Sequence, residues 1–236
     1  MMKTHPFAVL LALILSTSFI PTHVFGQILS RTDALEMLDR NVAKIRLEMN
    51  ASPIDATQRL MTLGASIGDE PRVIAICDEV IRTSTNTISR RGAVDALKTT
   101  MALHGLSVRL HGRTSSVAHA LEGALDDVDT QLRLQAIEVY VSLGGRYGRK
   151  AEKLYADAFG TAHSDVDDES KGELIRAIRP LIYSKDSALH AAIRLAVNRA
   201  NLIPFVQNRV GDPILAGSKV EDEQLLQKLQ AVAGEK

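Results

Sequence analysis

One short pattern is written twice in this chain, and it constrains the fold more than any other feature. Thr87-Ile88-Ser89-Arg90-Arg91-Gly92-Ala93-Val94-Asp95 returns 43 residues later as Thr130-Gln131-Leu132-Arg133-Leu134-Gln135-Ala136-Ile137-Glu138. Thr, Arg and Ala keep their offsets, Val becomes Ile, and Asp becomes Glu. Self-similarity at this spacing comes from stacking supersecondary units, each burying its apolar face only against a neighbour. A polar run precedes each copy: Thr83-Ser84-Thr85-Asn86 stops one helix and caps the next, and Asp126-Asp127-Val128-Asp129 reads as a turn. After the second run, Leu132, Ala136, Val139, Tyr140 and Leu143 fall on one helical stripe.

The rest of the chain reads as helix and turn. Ser30 with Asp33 caps a first helix carrying Ala34, Leu35, Leu38, Val42 and Ile45, which runs to about Asn50. Ser52, Pro53 and Asp55 make a capping box with Pro at the first position of a second helix. Pro71 opens a third with a broad apolar face that includes Cys77. The fourth starts at the first copy of the pattern and is expected to end at Gly105; a fifth starts at Thr114-Ser115. Further helices are expected over 147–159, 170–179 and 186–201, with breaks at Pro204 and Gly211-Asp212-Pro213. A last helix, capped by Ser218 and Glu221, carries Leu225, Leu226, Leu229 and Val232. No segment combines β-branched alternation with hairpin turns, so the expected fold class is all-α, built from stacked antiparallel helix pairs.

Residues 118–145 resemble HEAT repeats: Ala120-Leu121, Ala124-Leu125, Asp126-Asp127, Arg133, Ala136 and Leu143 fit that family's pattern, and 87–103 and 169–178 fit more loosely. The resemblance implies a short α-solenoid over residues 27–217, with 218–236 as a separate amphipathic helix. It also implies structural roles for Arg90, Arg133, Asp127 and Asp129, as caps and as arginines bracing neighbouring turns. A curved helix stack presents many side chains to a partner without needing a catalytic centre. The partner-binding candidates are second-helix positions on the inner surface: Arg90, Arg91, Lys98, Arg133, Gln135 and Glu138.

Residues 1–26 read as a secretory signal peptide: Lys3, an apolar run over 7–15, then Val24-Phe25-Gly26 before Gln27. The run is too short to span a bilayer, and no stable membrane insertion is expected after cleavage. The implied location is secreted or periplasmic, and the implied partner is a protein there. With 28 basic and 28 acidic residues the chain has no global field for nucleic acid. Aromatic residues make up 4% and Trp is absent, which weighs against sugar clefts and base-stacking platforms.

No constellation of an enzyme stands out. The sequence has no nucleophile elbow, no Ser-x-x-Lys setting and no phosphate-cradling glycine loop. Cys77 lies on an apolar helical face, the wrong surroundings for an activated thiolate. His104, His111 and His119 lack the spacing of a metal site, and residues 165–169 lack the glycine and the terminal glutamate of a calcium loop. No cofactor and no metal is expected. Arg146, Arg149 and Lys150 form the densest basic edge, and Asn50-Ala51-Ser52 has the form of a glycosylation sequon. The main expectation is a protein-binding or scaffold module. The alternative is an exported helical lyase or hydrolase, and a third reading has the last helix mediating self-association.

Overall fold

A computed structural model describes residues 29–161, 166–210 and 219–234. The expected leader at 1–26 and the break at 211–213 lie outside those residues. Among the described residues there are thirteen helices and no strand. They are α1 (Arg31–Glu36), α2 (Leu38–Ala51), α3 (Pro53–Ile67), α4 (Pro71–Thr83), α5 (Thr87–Leu110), α6 (Thr114–Leu125), α7 (Thr130–Ser142), α8 (Gly145–Gly148), α9 (Ala151–Gly160), α10 (Asp168–Leu181), α11 (Ser187–Arg199), α12 (Leu202–Val210) and α13 (Lys219–Gly234). The protein is all-α.

The chain divides into two compact units, Met1–Ala120 and Leu121–Lys236. The boundary falls within α6, inside the span that the sequence assigns to one repeat domain. In the first unit, α2 packs on α3 and α4, and α5 packs on α3 and α4. Leu38, Ile45, Leu60, Leu63, Ile67, Val73, Ile76, Val80 and Leu97 form its fully buried interior. In the second unit, α7, α9, α11 and α13 pack in succession, with α10 against α7 and α12. Its core gathers Ile137, Phe159, Leu174, Ile178, Leu189, Ile193 and Val197. Packing between elements two apart in sequence, alongside neighbours, is the arrangement that stacked helix pairs require.

Several helix ends differ from expectation for local reasons. The first expected helix is interrupted at Met37, whose amide bonds back to the Asp33 carbonyl. Ser30 does cap it, accepting from the Asp33 amide at 3.2 Å. Ser52 precedes Pro53 but makes no side-chain cap bond. Helix α5 runs through Gly105 to Leu110, because His104 and Ser107 anchor the last turns to α3 and its following turn. The helix expected over 147–159 is split into α8 and α9, and Pro204 sits in the first turn of α12, where proline is tolerated. The apolar face of α13 does not await a second copy. Leu225, Leu229 and Val232 are 4%, 0% and 5% exposed within the second unit, packed with α11 and α12.

Candidate functional site

The most enclosed charge in the first unit is Asp69, in the turn between α3 and α4, at 4% exposure. Two distant elements meet there. Arg31 of α1 donates to its carboxylate at 2.7 Å, and Ser107 of α5 donates at 2.6 Å. Arg113, at the entry to α6, donates to the Asp69 carbonyl. His104 lies beside it with its Nε2 2.9 Å from the Ala65 carbonyl. Burial pushes the Asp69 carboxyl up, but the hydrogen bonds from Arg31 and Ser107, aided by the charges of Arg31 and His104, hold it at about 2.

Arg113 extends from this hub to the wall of an open groove between α4 and α6, with a volume of about 390 Å³. Ile74, Asp78, Arg113, Ser115, Ser116 and His119 line it. Its far side is fixed by Arg82, which donates to Asp78 at 2.6 Å and to the His119 carbonyl at 2.7 Å. The lining offers hydroxyls, one carboxylate and one guanidinium on walls that the ion pairs hold in place. A second open cleft of about 300 Å³, in the second unit, is lined by Ser184, Lys185, Ser187, His190 and Arg194. The Nε2 of His190 is buried there without a hydrogen-bond partner.

The six partner-binding candidates fall three in each unit, Arg90, Arg91 and Lys98 in the first and Arg133, Gln135 and Glu138 in the second. Arg90, Arg91 and Lys98 lie half-buried on α5, and Arg90 donates to the Ile81 carbonyl at 3.2 Å, bracing the end of α4. Glu138 is half-buried on α7. Arg133 and Gln135 are each only 8% exposed, which corrects the expectation of an accessible pair. The reason is that the first two turns of α7 are enclosed on all sides, with every residue from Thr130 to Ile137 buried. The Arg133 guanidinium reaches the Ala158 carbonyl at 3.4 Å, and its Nε has no partner. Burial pulls its pKa down against the pull of Asp126 and Asp129.

The remaining sequence candidates have structural roles. His104, His111 and His119 go to separate partners, Ala65, Ser107 and Arg82, and no cluster of three metal-competent side chains occurs among the described residues. Cys77 is fully buried, which pushes its thiol up to about 12. In the acidic run, Asp167 caps α10 by accepting from the Ser170 amide at 2.7 Å, Asp168 pairs with Lys171, and Glu169 accepts from Gln131. Asp165 of that run lies outside the described residues. Asp127 accepts from the Asp129 amide, and Asp129 caps α7 through the Leu132 amide. Arg146 donates to the Tyr147 hydroxyl at 2.7 Å. The Asn50 side-chain oxygen accepts from the Thr85 amide at 2.9 Å, so the sequon asparagine ties α2 to the α4–α5 turn.

Asp69 and the groove had no sequence signal of their own. Asp69 sits 38 residues from both Arg31 and Ser107, and nothing local to Gly68-Asp69-Glu70 announces that convergence. No protein-family model matches this chain, and neither does any curated protein or solved structure.

Proposed function

We propose that this protein is an exported, HEAT-like helical stack that binds a partner protein, with the groove between α4 and α6 as its contact site. The groove carries the reading: it is open, sets Pro71, Ile74 and Ala75 beside hydroxyls and charged groups, and is walled by side chains that Asp69 and Arg82 hold in place. Fixed walls lower the ordering cost of binding, which is the requirement on a module that recognises a chain. The duplicated helix starts and the leader-like residues 1–26 support the solenoid and export parts of the reading.

Photocrosslinking from position 116 in the native envelope fraction tests it. A discrete adduct is expected, and Ala75→Arg combined with Ser115→Arg should reduce its yield about tenfold, since both positions are exposed at the groove. An adduct of unchanged yield in the folded double variant sinks the proposal. Charge reversal at Arg91 and Lys98 tests in the same assay whether the α5 candidates contribute.

The competing reading, an exported helical hydrolase or lyase, rests on one observation, the unpartnered Nε2 of His190 in the second cleft. Turnover of any ester, amide or glycoside in a substrate panel, lost on His190→Gln, would favour it.

A further inference from the structure

The basic edge over 146–153 turns all of its cations to one side. Arg146, Arg149, Lys150 and Lys153 are exposed, and their spacing by three, one and three puts them on one helical face. The backbone keeps that register across the join of α8 and α9. Arg149 and Lys150 both have right-handed helical dihedrals, Lys150 donates to the Tyr147 carbonyl at 3.1 Å, and Leu154 donates to the Lys150 carbonyl at 3.0 Å. Tyr147, Gly148, Ala151 and Tyr155 on the opposite side are buried. The cations are therefore held outward.

Three of these charges have nothing to neutralise them. The side chains of Arg149, Lys150 and Lys153 make no hydrogen bond or ion pair among the described residues. Arg146 has a neutral partner: it donates to the Tyr147 hydroxyl at 2.7 Å, and its guanidinium lies 4.8 Å from the centre of that ring. The acids nearby are few. Glu122 adds to the field at Arg146, and Glu152 sits off the stripe, accepting from Ser184 at 2.8 Å. Asp157 ends the stripe one turn past Lys153, with no ion pair to it among the described residues. In a protein whose formal charge is zero, this is a concentrated cationic face.

We propose that this face of α8 and α9 binds a short acidic segment of a partner polypeptide. From Arg146 to Lys153 a helical path rises about 10 Å, the length of about three residues of extended chain. Arg146, oriented by Tyr147, presents its remaining N–H groups to one carboxylate, and Arg149, Lys150 and Lys153 attract the next ones. A lipid surface fits less well. Among the described residues no large apolar side chain is exposed between Val128 and Tyr183, so nothing on this face enters the acyl region. Single-stranded nucleic acid fits less well too. Tyr140 and Tyr147 are buried and meet edge to face at 5.1 Å, so neither offers a ring for a base to stack on. The proposal does not depend on the groove between α4 and α6, whose residues all belong to the first unit.

Fluorescence anisotropy of a labelled hexaglutamate peptide, titrated with the chain from Gln27, tests it, with hexaglutamine as the uncharged control. Binding of hexaglutamate is expected, weakening as salt is raised. Arg149→Glu combined with Lys150→Glu should reduce the affinity about tenfold, and Arg149→Gln combined with Lys150→Gln about threefold. Arg40→Glu, at an exposed cation of the first unit, should leave it unchanged. The substituted positions are exposed, so an unchanged thermal midpoint separates loss of binding from loss of fold. The glutamine pair serves if charge reversal disturbs α9. Equal binding by the parent and both double variants overturns the proposal, as does equal binding of hexaglutamine. An equal loss in Arg40→Glu overturns it by showing a response to net charge alone. Sedimentation with phosphatidylglycerol vesicles, or retention of a single-stranded oligonucleotide, that the glutamate pair abolishes in the absence of hexaglutamate binding also overturns it and assigns the face to that polyanion.

Discussion

A carboxylate as enclosed as Asp69 stays ionised because Arg31 and Ser107 both donate to it. Its folded pKa of about 2 lies below the ordinary 3.8, so the native state favours the charged form. The resulting stability is fully present above about pH 4 and is lost as pH falls through about 2. Asp69→Asn is expected to cost about 1–2 kcal/mol near neutral pH, a figure reduced because half-exposed Arg31 keeps part of the pair in solvent. Urea unfolding at a series of pH values checks this, and the gap between parent and variant should close in acid. A constant gap down to pH 2 would mean that shape, and not charge, holds the turn. Arg133 gives the complementary lesson. The residue type and offset matched an exposed charge ladder as well as a structural brace, and only the burial of α7 decides for the brace.

At the level of elements, α3 and α5 approach one another unusually closely. A Cβ on Gly64 would lie 2.7 Å from the Ala96 carbonyl oxygen, and one on Gly68 or Gly92 would collide with Thr100 or Thr57 across the same crossing. Glycine costs a helix interior up to about 1 kcal/mol against alanine, so its presence here reflects contact and not local preference. Gly64→Ala should therefore destabilise the protein by about 2 kcal/mol, since the obstructing atom is backbone and cannot turn aside. An unchanged or raised midpoint in chemical unfolding would contradict this. Helix starts were legible where side chains make the cap, as at Ser30, Asn86, Asp129, Asp167 and Asp186. Helix ends were less so. Gly105 and Pro204 read as stops, but tertiary anchoring carries α5 past one, and position in the first turn admits the other.

At the level of the whole molecule, each unit has its own core, and each contains one copy of the duplicated pattern. The first copy opens α5, which packs on α3 and α4, and the second opens α7, whose first two turns are enclosed. Ala93 and Ala136 are both completely buried, so equivalent letters do equivalent packing work in two separate interiors. Phe159 is the largest fully buried side chain and belongs to the second core. Phe159→Ala is expected to cost about 3–5 kcal/mol. Hydrogen exchange should then rise across α9, α10 and α11 while α3 and α4 stay protected. Loss of protection of equal size in both units would show that the two cores unfold as one.

The sequence by itself determined the helical class, most of the caps and most apolar faces, because those follow from local hydrogen bonding and a 3.6-residue period. It also marked the pattern that opens one helix in each unit. Tertiary structure alone decided which charges are buried and which surfaces remain open. The Asp69 hub, the groove walled by Arg113 and Arg82, and the burial of Arg133 and Gln135 each depend on residues far apart in the chain meeting in space. Polar residues at helical spacing look alike from the sequence whether they face water or another helix, and the packing of neighbours supplies the difference.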